Sequence, residues 1–523
     1  MKNISLSPTI LILLPSITII PVLIIIATDL HAGGFSLISA FFYSLLIPST
    51  DIDVIKSALT GLQITIATAI FSWVLSSIIG IILGFIGSNI IWETLGLSQN
   101  FGIIIRRALA IPRSIHEMIW GILLLQIFGL NYWIAIIAIT IPYSALLARV
   151  ISSQLDALND KPLKALKQSG VNPMAALTTS LLPGMIPIIF SYCGYRLECA
   201  IRGATLLGVF GLGGIGTELQ LTFESLEFRE MWTSLWILGI TMFILERLIN
   251  YLLKKPLKTG TSLRIFIDAI IISLFSLIIS IFWLKELGID LTSGLSLNTF
   301  PLPSIYDFKI AYQELHWFNL ISSTLLITFL AAGIAIGLPP LIMMTKDNSL
   351  YSFIQNFIFL IARLIPAPIS ALLILLCSSP SLAVAAISLG LHNMGVMGRL
   401  LKESIENENR DRYNAVKCFG TAPVLSSIYG KLTLKSNQYL AYACYRSDVI
   451  LRETAVVGVV GGVGLGWQLR ESISSFNWAQ VILITTAYGS LTMIGEIISD
   501  NISKNLLKSA HNNSFNLIFP STN

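Results

Sequence analysis

Four long stretches nearly free of charge limit what this chain can fold into: Leu11–Ala27, Gly61–Gly84, Ile265–Trp283 and Leu320–Met344. Each reaches or approaches the ~20 residues that a helix needs to cross a ~30 Å hydrocarbon layer. Backbone groups inside lipid must satisfy one another, so such stretches become helices. The composition agrees. Of 523 residues, 54% are hydrophobic and 12% charged, against roughly 25% charged in a soluble domain. The expected fold is an all-α polytopic membrane protein. Helices are placed near 9–28, 61–86, 114–130, 132–152, 184–207 and 231–253, then near 263–284, 317–345, 352–377, 381–401, 436–460 and 477–498. That makes about 12, with prolines Pro112, Pro366 and Pro368 interrupting two of them. The N-terminal run has no small-residue cleavage site after it and reads as an uncleaved first helix.

The formal charge of +5 reflects short basic loops and does not point to nucleic acid. Arg106, Arg107 and Arg113 share a side with Lys161, Lys164, Lys167, Arg247, Lys254, Lys255 and Lys258. The alternate loops hold Asp29, Asp51, Asp53, Glu218, Glu224, Glu227, Glu230, Asp290 and Asp307. The positive-inside rule then places both termini and the loop around 161–175 in the cytoplasm. The five cysteines form no CxxC pair, so buried thiols are expected rather than a disulfide framework or a metal site.

From about 149 to 246 the chain repeats itself without gaps at an offset of 250. Arg149 matches Arg399, Tyr192 matches Tyr442, Arg196 matches Arg446, Arg202 matches Arg452 and Glu246 matches Glu496. The glycines Gly208, Gly211, Gly214 and Gly216 match Gly458, Gly461, Gly464 and Gly466. Two copies of an even number of helices face the same way, so the reading is a parallel duplication. The boundaries that follow are 1–59 for an N-terminal helix and external loop, 60–253 for a first transmembrane domain, 254–316 for a linker, helix and external loop, 317–500 for a second transmembrane domain and 501–523 for a cytoplasmic tail.

Two polar islands stand out in the duplication. Lys164-Ala165-Leu166-Lys167-Gln168-Ser169-Gly170-Val171-Asn172-Pro173 looks like two short helices broken at a glycine, with proline in the first turn of the second. Ala415, Lys417, Gly420 and Pro423 repeat Ala165, Lys167, Gly170 and Pro173. The alternative to a docking role is an ordinary connecting loop. The pattern Ala-x-x-x-x-Gly followed by Leu182-Pro183 resembles the cytoplasmic coupling motif of ABC importer permeases. The stretches Leu207–Leu219 and Leu389–Arg399 are similar to phosphonate (PhnE-type) permeases. The resemblance covers about 60–250 and 318–500. Neither copy has the motif's leading acid: Lys164 and Asn414 stand there.

The resemblance implies two tandem six-helix units of the type I (MetI-like) ABC importer fold in one chain, in a bacterial cytoplasmic (inner) membrane. It implies import of phosphonate- or phosphite-type oxyanions with a separate ATPase dimer and a periplasmic or lipid-anchored substrate-binding protein. Ala165, Gly170, Pro173, Ala415, Gly420 and Pro423 would then meet the ATPase. The chain contains no P-loop, no HExxH and no GxSxG, and no cofactor or enzymatic activity of its own is expected.

Inside the fifth helix of each copy lie Arg196, Glu198 and Arg202, echoed by Arg446, Asp448 and Arg452. Arg196 sits about 20 Å along a helix from Pro183, near mid-membrane. Glu198 with Arg202 and Asp448 with Arg452 have the favourable i, i+4 order and can satisfy themselves. Arg196 and Arg446 stand outside that pairing, and the four arginines are candidates for a translocation path. His116 and Glu117 are adjacent and are expected to point apart. The Gly-rich stretches read as close packing with a turn, or as an irregular loop offering N–H groups to an anion. Two other readings stay open: a fused permease for ferric iron or thiamine, and an ion-coupled transporter using Glu246 or Glu496.

Overall fold

The computed structural model describes residues 8–158, 160–259, 262–289, 303–344, 349–406 and 411–518. In chain order the helices are α1 Pro8–Leu13, α2 Ile19–Asp29, α3 Phe35–Ser44, α4 Ile52–Ile86, α5 Asn89–Thr94, α6 Asn100–Ala108, α7 Ala110–Ser114, α8 Glu117–Phe128 and α9 Tyr132–Ala157. They continue as α10 Lys161–Gln168, α11 Pro173–Ser180, α12 Leu182–Leu207, α13 Ile215–Glu224, α14 Phe228–Thr259, α15 Ser262–Glu286 and α16 Ile305–Glu314. The last are α17 Trp317–Met343, α18 Ser349–Leu364, α19 Ala367–Leu375, α20 Leu382–Glu406, α21 Asp411–Cys418, α22 Pro423–Ser427, α23 Thr433–Gly461, α24 Gly464–Ser474 and α25 Trp478–Ile518.

The protein is an all-α, multi-spanning membrane protein. Among the described residues, seven helices are long and apolar enough to cross a membrane, or ten if three bent pairs each make one span. The bends are 80° between α7 and α8, 55° between α11 and α12, and 90° between α18 and α19. The 12 expected spans are therefore not all met by length and apolarity. The one expected at 436–460 falls short because α23 carries Arg446, Asp448, Arg452 and Glu453 in its apolar part. The one expected at 263–284 falls on α15, several of whose side chains lie outside the described residues. The first helix, expected unbroken over 9–28, is interrupted by a 3-10 turn at Leu14–Thr18. Pro15 cannot donate a helical hydrogen bond, and the Ser16 and Thr18 hydroxyls bond back to the Leu13 and Pro15 carbonyls. The expected 254–262 linker is helical backbone as far as Thr259. Asp290, placed in an outer loop, lies outside the described residues.

The chain forms two compact units. One comprises Met1–Ala40 with Leu302–Asn523, and the other Phe41–Pro301. In the first, the N-terminal segment lies against α17. A Cβ on Gly337 would come within 2.4 Å of the Ser16 nitrogen, and one on Gly333 within 1.9 Å of Thr18 Oγ1. This glycine pair, four residues apart, is what lets two helical backbones touch in lipid. The end of α2 is tied to the turn after α19: His31 N–H donates to the Cys377 carbonyl at 2.8 Å, and Ser379 N–H to the Asp29 carbonyl at 3.1 Å. The core holds Ile12, Ile327, Ala331, Val384, Leu389, Ile450 and Val457.

In the other unit α4 packs along α9. A Cβ on Gly80 would meet Leu147 Cβ at 2.8 Å, and one on Gly84 would meet Ile151 Cβ at 2.7 Å. The start of α14 clamps the end of α3 and the segment after it: Trp232 Nε1 donates to the Phe41 carbonyl at 2.7 Å, and Thr233 Oγ1 to the Ser49 carbonyl at 2.7 Å. Leu284 of α15 is buried with Ala67, Phe71 and Ile136.

Helix starts follow local chemistry. Asp51, Asn131 and Asn172 accept N–H bonds at the heads of α4, α9 and α11, and Ser304 with Asp307 forms a capping box on α16.

Candidate coupling segments and buried charges

The two polar islands fold alike. α10 ends in a left-handed Gly170, φ +78°. The Gly170 N–H bonds the Lys167 carbonyl at 3.1 Å and the Val171 N–H bonds the Leu166 carbonyl at 3.2 Å. This is a Schellman C-cap, and Leu166 and Val171 both pack onto the core beneath it, as the motif requires. Asn172 Oδ1 then accepts from Met174 N–H at 3.0 Å and Pro173 opens α11. Leu163, Ala176 and Leu181 face inward, whereas Ala165, Gly170 and Met174 are exposed.

In the second copy Gly420 has φ +69° and its N–H bonds the Lys417 carbonyl at 3.0 Å. Here the carbonyl of Val416 is met by the Thr421 hydroxyl at 2.9 Å. A side chain thus does what the Val171 amide does in the first. Ala415 and Gly420 are exposed, Pro423 opens α22, and Phe419 is 85% exposed. The chain re-enters the unit through a π-turn, Ile428–Leu432, where the first copy bends by 55°. Pro183 sits at the first of these junctions and Thr433 at the second.

Lys164 Nζ, on α10, lies 2.5 Å from Oδ2 of Asp160, the residue before that helix. The hydrogen bond from Lys164 holds the Asp160 carboxyl below its ordinary range, and the same bond raises the Lys164 ammonium. A depressed carboxylate adds stability above its unfolded pKa and loses it as pH falls through the folded one. Both groups are exposed, so the contribution is screened. Asp160→Asn is expected to leave the thermal unfolding midpoint unchanged at pH 7. A clear drop would show that the island is held from this pair rather than from Leu163 and Ala176.

All four candidate arginines are at least largely buried, and each has a partner. Arg202 Nη2 meets Glu198 Oε1 at 2.5 Å, and Arg452 Nη2 meets Asp448 Oδ2 at 2.5 Å, as the i, i+4 spacing predicts. Arg452 also lies 3.7 Å from Glu496. Glu496, one of the two carboxylates open to ion coupling, therefore already faces a cation. The other two are not left over. Arg196 Nε donates to the Tyr192 hydroxyl at 3.0 Å, and its guanidinium carbon lies 5.3, 4.9 and 5.7 Å from the ring centres of Tyr143, Tyr192 and Tyr195. Arg446 Nε donates to Asn393 Oδ1 at 2.5 Å, and its Nη2 is 3.4 Å from Glu453 Oε1. Asn393 Nδ2 closes the triangle on Glu453 Oε2 at 2.7 Å. His116 and Glu117 do not point apart. His116 caps α8 by accepting from Met118 N–H, which turns its Nε2 to 3.5 Å from Glu117 Oε2.

Sequence reasoning does not single out Tyr143, Asn393 or Glu453, and it reads Glu117 only as the neighbour of His116. A signal existed, since Tyr143 and Asn393 are also 250 apart, but their residue types differ and no local pattern marks them.

The Gly-rich stretches are packing with a turn. A Cβ on Gly216 would lie 1.9 Å from the Thr205 carbonyl oxygen, and one on Gly208 2.6 Å from that of Gly213. Thr65 Oγ1 accepts from Ile215 N–H at 2.9 Å, and Thr324 Oγ1 accepts from Leu465 N–H at 3.0 Å. The same tie thus recurs in each unit, at threonines 259 positions apart, outside the ungapped repeat. Among the described residues no group of three or more His, Cys, Asp or Glu is placed to hold a metal ion.

Residues 80–255 match the family of the binding-protein-dependent transport system inner membrane component. The phosphate-import permease protein PhnE of Mycolicibacterium smegmatis is 22% identical over 390 residues, 71% of this chain and 72% of that protein. The putative phosphite transport system permease protein HtxE of Stutzerimonas stutzeri is 26% identical over 143 residues, 27% of this chain and 55% of that protein. The phosphite transport system permease protein PtxC of the same organism is 24% identical over 208 residues, 40% and 74% of the two chains. The inward-facing methionine ABC transporter aligns with 38% of this chain and 94% of its own at 18% identity, with a TM-score of 0.32. Residues 80–255 of this multi-spanning membrane protein thus resemble a binding-protein-dependent transport system inner membrane component.

Proposed function

We propose that this chain is a doubled permease in the bacterial inner membrane that imports a phosphorus oxyanion of the phosphonate or phosphite class. The single observation that carries the doubled reading is the exposed helix, left-handed glycine and proline-started helix, formed twice 250 residues apart. A relative aligned over nearly equal shares of both chains supports it. In this reading α15 and α23 complete 12 spans, the units have the type I importer fold, and both termini and both islands face the cytoplasm.

The exposed faces of α10–α11 and α21–α22 dock on an ATPase dimer. Closure of that dimer draws the islands together and shifts the helices between outward- and inward-open states, with the energy supplied outside this chain. A substrate-binding protein delivers the oxyanion. Phosphate belongs in the test beside phosphite and phosphonate, because the relatives' names include all three.

The experiment is uptake by membrane vesicles holding the chain with its co-purified ATPase and binding protein. ATP-dependent accumulation of phosphite, methylphosphonate or phosphate, with ferric iron and thiamine excluded, is the expected result. Uptake that persists without the ATPase and stops with a protonophore would replace this reading with ion-coupled transport.

A further inference from the structure

Four positions in the Phe41–Pro301 unit have counterparts 250 residues later in the other unit: Glu117 with Ala367, Tyr143 with Asn393, Arg196 with Arg446, and Gly203 with Glu453. The arginines match. The acids do not, since each unit has a carboxylate where the other has a small residue. Space explains the exchange. A Cβ on Gly203 would lie 3.4 Å from Glu117 Oε1 and 3.3 Å from the Tyr143 hydroxyl. The carboxylate of Glu117 thus fills, from the first residue of α8, the place that a side chain at 203 would take from α12. In the other unit α19 begins with Ala367 at the matching point, and the carboxylate comes from Glu453 on α23.

The bridging residue is matched too. The Tyr143 hydroxyl is shared between the Cys199 carbonyl at 3.1 Å and Glu117 Oε1 at 3.3 Å, and its ring lies 5.3 Å from the Arg196 guanidinium carbon. Asn393 donates to Glu453 and accepts from Arg446. Arg196 and Arg446 are each 6% exposed. A buried guanidinium is stable only with an acid and filled hydrogen bonds around it.

We infer that Glu117 and Glu453 are one part supplied from two different helices: the carboxylate that each unit sets beside its buried arginine, reached through Tyr143 in one unit and met both directly and through Asn393 in the other. Paired with Glu453, Arg446 cannot hold a transported anion as an uncompensated positive charge would. The inference rests on the doubled-chain reading, but its primary readout needs no substrate.

The test uses the full chain in detergent micelles and in vesicles. Glu453→Gly is expected to lower the thermal unfolding midpoint by about 5 °C and cut uptake by about tenfold. Adding Ala367→Glu should restore more than half of both, and Arg446→Met should likewise recover the midpoint of Glu453→Gly by removing the stranded charge. If Glu453→Gly does not assemble, Glu453→Gln keeps the shape and removes the charge, with Ala367→Glu again as the rescue. Losses that simply add in both double variants would overturn the inference. A recovered midpoint, where the wild-type chain itself accumulates no phosphorus oxyanion, would sustain it while refuting the substrate class.

Discussion

Uptake is expected to fall by at least about tenfold when Gly170 and Gly420 are both replaced by valine, while the chain still inserts and ATP hydrolysis continues. The argument is one of backbone conformation. Nothing lies within 4 Å of a Cβ placed on either glycine, so no side chain clashes. Each residue, however, sits at positive φ, +78° and +69°. A β-branched residue there costs about 1–3 kcal/mol, and the chain relieves it by opening the turn. The angle between α10 and α11, and between α21 and α22, then changes where Ala165, Gly170, Met174, Ala415 and Gly420 are exposed. Transport and ATPase rates measured together separate this from misfolding. A double variant that imports at the wild-type rate would end the docking proposal.

The second large effect concerns the N-terminal segment. Gly337→Val should lower the thermal midpoint of the full chain markedly and expose residues 8–29 to protease. A Cβ at this position would lie 2.4 Å from Ser16 N, 2.5 Å from Ser16 Cα and 2.8 Å from Pro15 C. All three are backbone atoms, so no rotamer change makes room and the segment must move. Overpacking of this kind costs about 1–3 kcal/mol or more. The contacts of Ile12 and Val22, both buried, are lost with it. Gly333→Ser should act in the same direction, because its Cβ would lie 1.9 Å from Thr18 Oγ1 and 2.6 Å from Thr18 Cβ, which no side-chain rotation moves. An unchanged midpoint and protease pattern in Gly337→Val would show that the segment is not held through this contact.

These cases show which features could be read from sequence. The islands, the pairs Glu198–Arg202 and Asp448–Arg452, and the glycine turns depend on residues at most five apart in the chain. Spacing alone predicts them, and the structure forms them. The partners of Arg446 lie 53 and 7 residues away on α20 and α23, and those of Arg196 include Tyr143 on α9. No periodicity encodes such meetings. The repeat held the information, but the acid had changed helices between copies, so matching residue types hid it. Pro112, Pro366 and Pro368 mark the two spans that bend before α8 and α19, but the cap that His116 gives α8 is not displayed by an apolar pattern. Membership of the first helix in the unit completed by Leu302–Asn523 is a property of packing that no stretch of sequence announces.

That last feature has a bearing on biosynthesis. The ribosome makes Leu13 long before Gly337, and at about 5–20 residues per second the interval is on the order of half a minute. Throughout it the nascent N-terminus rests in the bilayer without the surface it is shaped for. A message cut anywhere before the codon for Gly337 would release a chain whose opening helix has no seat, a state that membrane quality-control proteases can recognise.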